Sequence, residues 1–144
     1  AEVSEEGYEV FESPKFNLLS KGKDVNILAV GPRTLEIALE IEKEFSDKVG
    51  VINARTIKPL DEEVLLAIKD TTVVTLEENS LIGGFGSLVK GFFSNKGLCT
   101  SVLSYGVKDE FVAHGDVNKQ FETNGLTASA VIKDLKKILK EKYE

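Results

Sequence analysis

Residues 25–46 read VNILAVGPRTLEIALEIEKEFS, a strand pattern followed directly by a helix pattern. The run from Val25 to Val30 is almost continuously apolar and ends at Gly31, as in a strand buried on both faces of a parallel sheet. Pro32 suits the first turn of a helix. From Thr34 to Ser46 apolar residues recur on one side with the 3.6-residue period, while Glu and Lys fill the other side. The stretch therefore predicts one strand and one amphipathic helix.

The same alternation of strand and helix continues along the chain. Asp61 is a good helix N-cap, and Glu62 and Glu63 follow it in the first turn, where acidic side chains favour the helix dipole. Further strands are predicted at Val49–Asn53, Thr72–Leu76 and Thr100–Tyr105, and further helices at Asp61–Lys69, Ser87–Ser94 and Thr127–Glu141. Strands that alternate with such helices form a mostly parallel sheet covered on both faces. The predicted fold is a three-layer α/β/α sandwich.

The chain has 144 residues, enough for one domain with a substantial core. Residues 1–23 show little periodicity, many charges and the breakers Gly7, Pro14 and Gly22, so we predict a linker or docking arm from a preceding domain. The compact domain is predicted to span residues 24–144. The sequence contains no methionine and does not begin with a signal peptide pattern, which favours a domain cut from a longer protein.

Charge and cysteine content exclude several classes of function. The net charge of −6 disfavours binding to nucleic acid or to an anionic membrane surface. The apolar runs are far shorter than the roughly 20 residues of a membrane helix. Cys99 is the only cysteine, which excludes an intrachain disulfide and suits a reducing compartment. We therefore predict a cytoplasmic protein in which Cys99 is buried and inert.

Ligands of parallel sheets usually bind at the carboxyl ends of the strands. There, the turn Gly83–Gly86 precedes a predicted helix, whose first N–H groups can hold a phosphate. Its spacing lacks the third glycine of a dinucleotide fingerprint and the lysine of a P-loop, so a tight structural turn is favoured. Arg33 and Arg55 also follow strands. They are candidate anion contacts, or else ion-pair partners of nearby glutamates.

Glu77 and Glu78 follow the predicted strand Thr72–Leu76. A carboxylate there suits general acid or base catalysis only if its pKa is raised. Adjacent strand residues point to opposite faces, so the two do not form a catalytic dyad. The favoured interpretation is that one carboxylate is solvated and the other bonds to neighbouring backbone or to a partner chain.

His114 is the only histidine, and no Ser or Cys nucleophile is tied to it by the sequence. Together with Asp109, Glu110 and Asp116 it offers a possible metal site, but the spacing fits no metal motif and an exposed acidic loop is favoured. We therefore predict no catalytic, cofactor-binding or metal-ligating residue in this chain.

Three segments together resemble the C-terminal domain of transketolase-like thiamine diphosphate enzymes. They read VINARTIKPLDEEVL (51–65), LEENSLIGGFGSLV (76–89) and GVKDEFVAHGDVNKQFETNGLTASAV (106–131). The resemblance covers residues 25–139. Within this group Asn53-Ala54-Arg55, Glu77-Glu78-Asn79 and Phe111–Gly115 are most similar to 1-deoxy-D-xylulose-5-phosphate synthases, whereas GVKDEF leans toward transketolases.

The resemblance implies a mixed five-stranded sheet and the third module of a dimeric enzyme. In that group thiamine diphosphate, Mg²⁺ and the catalytic histidines belong mainly to two preceding domains, and this chain lacks their Gly-Asp-Gly cofactor motif. The implied partners are those preceding domains and the second subunit of a homodimer. Candidate contacts with them are Glu77, Glu78, Asn79, Gly83, Gly84, Phe85 and His114.

The implied reaction is the condensation of pyruvate with glyceraldehyde 3-phosphate, with release of CO2, for isoprenoid precursors. By itself this chain is then inactive and serves packing and assembly. Two alternatives stay open. One is the C-terminal part of a transketolase or of a split-transketolase subunit. The other is a free-standing domain that binds a small anion at Arg33, Arg55 and the Gly83–Gly86 turn.

Overall fold

The computed structural model describes residues 15–54, 60–80, 84–108 and 126–143. Its strands are β1 (Asn17–Leu18), β2 (Val25–Val30), β3 (Val49–Asn53), β4 (Thr72–Ser80) and β5 (Val102–Lys108). They form one sheet in the order β1-β3-β2-β4-β5. Strands β2 to β5 pair in parallel, whereas β1 runs antiparallel to β3 at one edge. The expected five-stranded, mostly parallel sheet is thus confirmed.

Helices cover both faces of this sheet, which confirms the three-layer sandwich. They are α1 (Pro32–Phe45), α2 (Glu62–Ala67), α3 (Phe85–Asn95) and α4 (Ala128–Tyr143), with a short 3-10 helix at Ser46–Lys48. Helices α1 and α4 pack on one face and α2 and α3 on the other. No helix in the described ranges combines the length and the apolar character needed to cross a membrane.

Two core clusters fill the space between the sheet and these helices. The first core cluster, under α1 and α4, comprises Val25, Ile27, Ala29, Ala38, Ile41, Val49, Val51, Val74, Leu76, Leu126, Ala128, Val131, Leu135 and Leu139. The second core cluster, under α2 and α3, comprises Phe16, Leu28, Ile52, Ala54, Leu65, Ile68, Val73, Phe85, Val89, Phe92 and Phe93. Strand β2 supplies both clusters, since Ile27 points to the first and Leu28 to the second. This double burial explains why the sequence of β2 is apolar at every position except Asn26.

The structure extends β4 and α3 beyond their predicted bounds. Strand β4 continues through Glu77, which pairs with Val30 and with Gly106 of β5. The apolar pattern had ended at Leu76, so the strand was predicted too short. Strand β5 correspondingly includes residues 106–108, beyond the end predicted at Tyr105. Helix α3 begins at Phe85 rather than Ser87, because the side chain of Glu77 accepts hydrogen bonds from its first N–H groups.

Residues 15–23 lie along the edge of the sheet. Asn17 pairs with Asn53 and Leu18 with Ile52 to form β1. Farther along, the N–H groups of Leu19 and Ser20 donate to the carbonyl of Val51. The described part of the predicted docking arm is therefore attached to the domain. The division of the chain at residue 23 stays a prediction, and residues 1–14 lie outside the described part.

The prediction that Cys99 is buried is wrong, since its side chain is exposed. Strand β5 begins at Val102, so Cys99 lies in the connection that follows α3 rather than in a strand. The strand had been predicted to begin at Thr100, two residues too early, whereas the residue that packs against the second core cluster here is Leu98.

Tyr105 of β5 donates a hydrogen bond of 2.6 Å to Asp134 Oδ2 of α4. Partial burial, together with this hydrogen bond and the Asp134 charge, raises the pKa of Tyr105 above its ordinary value. Above a pH of about 10 the unfolded chain loses this proton while the folded chain keeps it, so the free energy of unfolding falls. We expect the free energy of unfolding of Tyr105→Phe to decrease less steeply with pH, as measured by urea denaturation from about pH 8 to about pH 11. Identical pH profiles for the two proteins would contradict this origin.

Candidate functional site

The ends of β2 and β4 and the start of α3 meet at the carboxyl edge of the sheet. Residues 31–33 follow β2 and lead into α1, Glu77 and Glu78 lie near the end of β4, and Gly84 precedes α3. These are residues that the sequence placed at a candidate site. Their side chains and backbone N–H groups are joined by three hydrogen bonds.

The carboxylate of Glu77 caps helix α3. Its Oε1 accepts from the N–H of Phe85 at 3.0 Å, and its Oε2 accepts from the N–H of Gly86 at 2.8 Å. The first N–H groups of a helix have no partner within the helix, and a negative charge there also interacts favourably with the helix dipole. The N-cap residue Gly84 has no side chain to do this. Glu77 therefore stabilises the first turn and lets the helix begin at Phe85.

The carboxylate of Glu78 serves helix α1 on the opposite face. Its Oε2 accepts from the N–H of Arg33 at 2.7 Å. The N-cap of α1 is Gly31, again without a capping side chain. Gly31 has a φ of 107°, and a Cβ at this position would collide with the Glu78 carboxylate. The positive φ favours glycine at this turn, and any other side chain would also displace the Glu78 carboxylate from its hydrogen bond.

Two consecutive residues of β4 thus hold the starts of two helices, one on each face of the sheet. Their opposite orientation agrees with the prediction that they do not form a dyad. The prediction that only one of them bonds to backbone is wrong, because both accept from N–H groups of this chain. A sequence signal for this arrangement is the glycine at each helix N-cap, which leaves the first turn without a local capping side chain.

Helix α3 also approaches the sheet closely at Gly86. A Cβ added there would lie 2.9 Å from Thr75 Oγ1 and 2.9 Å from Ser104 Cβ, and nearer still to Ser104 Oγ. Thr75 is fully buried, and its hydroxyl has no hydrogen-bond partner within the described part of the chain. Gly86 is therefore a packing residue between α3, β4 and β5.

These contacts change the meaning of the glycine-rich turn. The N–H groups of Phe85 and Gly86 are occupied by Glu77, so a phosphate at α3 would have to displace a carboxylate of the same sign. This favours the structural turn over the phosphate site. The N–H of Arg33 is likewise bonded to Glu78. Arg55 and Gly83 lie outside the described residues, and the pairing of Arg33 and Arg55 on an anion stays a prediction.

The candidate contacts with other domains differ in exposure. Glu77 and Phe85 are buried within this chain, at 4% and 0% exposed. Glu78 and Gly84 are partly exposed, so they retain surface that another domain can touch. Asn79 lies in β4, next to Glu78. His114 lies outside the described residues, as do Asp109, Glu110 and Asp116, and the set of contacts stays a prediction.

The described residues present no metal centre, since nowhere among them do three or more His, Cys, Asp or Glu side chains come together in a suitable arrangement. The two helix N-termini at the carboxyl edge are already bonded to glutamates. The described residues therefore do not fit a bound diphosphate with its divalent cation. The glutamates at this edge stabilise the starts of α1 and α3 instead.

An open, mostly parallel sheet covered by helices on both faces defines the class of this domain as doubly wound α/β. Within that class, residues 15–131 match the family model described as "Transketolase, C-terminal domain". The chain belongs to this family. The resemblance drawn from the three sequence segments is thus confirmed.

Curated relatives agree with this family. The chain is 37% identical over 142 residues to the 1-deoxy-D-xylulose-5-phosphate synthase of Aquifex aeolicus, a match that covers 96% of this chain and 23% of the relative. It is 34% identical over 134 residues to the synthase of Clostridium tetani, covering 90% of this chain and 22% of the relative. The chain therefore spans less than a quarter of the length of these relatives.

Solved structures show the same fold. The structure titled "Split gene transketolase, inactive beta4 tetramer" superposes with a TM-score of 0.74 at 33% identity, covering 87% of this chain and 42% of that one. The transketolase of Campylobacter jejuni gives a TM-score of 0.55 at 19% identity, covering 85% of this chain and 18% of that one. At that identity the second match concerns the fold alone.

Proposed function

We propose that this chain is the C-terminal domain of a 1-deoxy-D-xylulose-5-phosphate synthase. The complete enzyme would use thiamine diphosphate and Mg²⁺ to condense pyruvate with glyceraldehyde 3-phosphate and release CO2, in the cytoplasm. The observation that carries the proposal is the 37% identity to the Aquifex aeolicus synthase along almost the whole chain.

The role proposed for the chain itself is structural. At the carboxyl edge, both oxygens of Glu77 accept from N–H groups of α3, and Oε2 of Glu78 accepts from the N–H of Arg33 in α1, so both carboxylates stabilise helix starts of this chain. Asn17 pairs with Asn53, the last residue of β3, so the arm joins the sheet at this same edge. The carboxyl edge is therefore the side that we propose faces the preceding domains and the second subunit of a homodimer.

If this role is correct, the 144-residue chain alone does not bind the cofactor. We expect calorimetric titration with thiamine diphosphate and Mg²⁺ to give no binding heat, and we expect no CO2 when pyruvate is added. A complete synthase titrated in the same buffer is the positive control. Saturable binding by the 144-residue chain would overturn the assignment of a purely structural role.

The reaction itself is tested on the complete native polypeptide, purified from the source cells with an antibody raised against this chain. The synthase proposal expects pyruvate and glyceraldehyde 3-phosphate to be consumed together, with one CO2 released for each 1-deoxy-D-xylulose 5-phosphate formed. Omission of either substrate should abolish the product. Loss of the proposed reaction with a correctly purified polypeptide would overturn this function.

A transketolase is the rival function, and the 33% identity to the split-gene transketolase structure favours it. A transketolase would exchange carbon units between sugar phosphates without decarboxylating pyruvate. The same purified polypeptide, given sugar phosphates in place of pyruvate, distinguishes the two reactions. Exchange without CO2 release would select the rival.

A further inference from the structure

The N-terminal arm is anchored to the second core cluster by Phe16. Its N–H donates to Asp61 Oδ2 at 2.8 Å, in a buried hydrogen bond. Its ring is only 7% exposed and meets the ring of Phe85 edge to face, with centroids 6.1 Å apart and an interplanar angle of 64°. Phe16 thus touches the residue that precedes α2 and the first residue of α3.

Asp61 holds two segments at once. Its Oδ1 accepts from the N–H of Val64 at 3.2 Å and caps α2, while its Oδ2 receives Phe16. Asp61 is buried, and so is its bond to Phe16, whereas its bond to Val64 is only partly buried. A carboxylate that accepts from two N–H groups has both of its oxygens engaged, and the loss of either bond leaves a buried donor without its partner.

Phe85 connects this anchor to the Glu77 cap. Its ring packs on Phe16, and its N–H is one of the two that Glu77 accepts. The contacts therefore run without a gap from Asp61 to Phe16, then to Phe85 and Glu77. Phe16 therefore packs against the residue whose N–H donates to Glu77 Oε1.

We propose that residues 15–20, which we name the strap, hold the first turn of α3 in place. When the strap is docked, Phe85 is fixed and Glu77 caps the helix. When Phe16 loses its contacts with Asp61 and Phe85, the first turn of α3 opens while the rest of the domain stays folded. The position of Phe16 is thereby coupled to the carboxyl edge. This coupling depends only on contacts within the chain and goes beyond the proposed function.

The strap has a second anchor that keeps it attached when Phe16 is released. The N–H groups of Leu19 and Ser20 donate to Val51 O, at 3.0 and 3.1 Å. Ser20 Oγ donates to Glu42 of α1 at 2.5 Å. Together with the pairing of Asn17 and Leu18 with β3, these bonds would keep the strap attached to the sheet when the Phe16 side chain is released.

The test is residue-resolved amide hydrogen exchange on the 144-residue chain. Asp61→Asn leaves only one acceptor oxygen for two donors, and Phe16→Leu keeps an apolar side chain but removes the ring contact. Leu139→Ala is the matched control, because Leu139 has the same 7% exposure and lies in the first core cluster, on the other face. The amides of Phe85 and Gly86 are compared with those of Ile41 and Leu135, which report opening on the other face.

We expect Phe16→Leu to speed exchange at Phe85 and Gly86 by about ten-fold relative to the two reference amides. Leu139→Ala should not change that ratio. In Asp61→Asn the exchange of the Phe16 and Val64 amides shows which bond the asparagine has kept. If the Phe16 amide has lost its hydrogen bond, exchange at Phe85 and Gly86 should become faster. If only the Val64 amide has lost its hydrogen bond, exchange at Phe85 and Gly86 should stay slow.

Two results would overturn the coupling. The first is unchanged exchange at Phe85 and Gly86 in Phe16→Leu, or in Asp61→Asn when its Phe16 amide exchanges faster than in the unchanged chain. The second is the same change of ratio in Leu139→Ala, since that would assign the effect to lower stability of the whole domain. Neither result bears on the synthase assay, so the two proposals fail separately.

Discussion

Glu77→Ala is expected to lower the free energy of unfolding of the chain by about 3 kcal/mol, because it removes two charge-assisted hydrogen bonds at a buried site. The N–H groups of Phe85 and Gly86 would lose their acceptor, and both residues are buried. Water that enters to replace the carboxylate would disturb the contact between α3 and the sheet. Urea denaturation followed by circular dichroism measures the loss.

Two matched variants test whether the loss of stability follows the number of hydrogen bonds that each glutamate accepts. Glu77→Gln keeps one acceptor oxygen and should cost about half as much as Glu77→Ala. Glu78→Ala removes a single bond from a partly exposed carboxylate, so about 1 kcal/mol is expected. Equal and small losses for all three variants would show that Glu77 does not hold α3 as described.

Gly86→Ala is expected to lower the free energy of unfolding by about 2 kcal/mol, although alanine normally favours a helix. The added methyl group would meet Ser104 of β5 and Thr75 of β4 at distances that real side chains do not adopt. Rotation of the Ser104 hydroxyl relieves only part of the overlap, because its Cβ is also too close. Helix α3 would therefore have to move away from the sheet.

Gly91→Ala provides the control in the same helix. A Cβ at Gly91 would have no neighbour within 4 Å among the described residues, so the substitution brings only the gain in helix propensity. We expect it to raise the free energy of unfolding by about 0.5 to 1 kcal/mol. Opposite signs for the two substitutions, measured under identical conditions, are the expected result. A stabilising Gly86→Ala would refute the close approach of α3 to the sheet.

The layers of the fold were predictable because they depend on local patterns. The apolar run Val25–Val30 and the helix period that follows it gave the central strand and its covering helix with nearly correct bounds. The N-cap at Asp61 was also correct, since the N–H from which its carboxylate accepts belongs to Val64, only three residues ahead. Such signals act over one or two turns of chain, which is the range that pattern and propensity describe.

The contacts of Glu78 with Arg33 and of Phe16 with Asp61 were not predictable because they join distant parts of the sequence. Glu78 lies 45 residues from the Arg33 that it caps, and Phe16 lies 45 residues from Asp61. Charged residues at the end of an apolar run look like solvent-exposed positions when they are taken alone. Only the parallel pairing of β2 with β4 brings Glu78 beside the start of α1, and this explains why β4 was predicted to end before its two glutamates.

The adjacency of Glu77 and Glu78 also restricts how the gene for this domain can change in length. Side-chain direction alternates along a strand, so removing or inserting one residue within β4 ahead of Glu77 would exchange the faces of the two carboxylates. Each glutamate would then point toward the helix that the other glutamate now caps. Its carboxylate would no longer lie at hydrogen-bonding distance from the N–H groups that it accepts from now. The coding sequence of β4 therefore tolerates exchange of its apolar residues for similar ones far better than the gain or loss of a single codon.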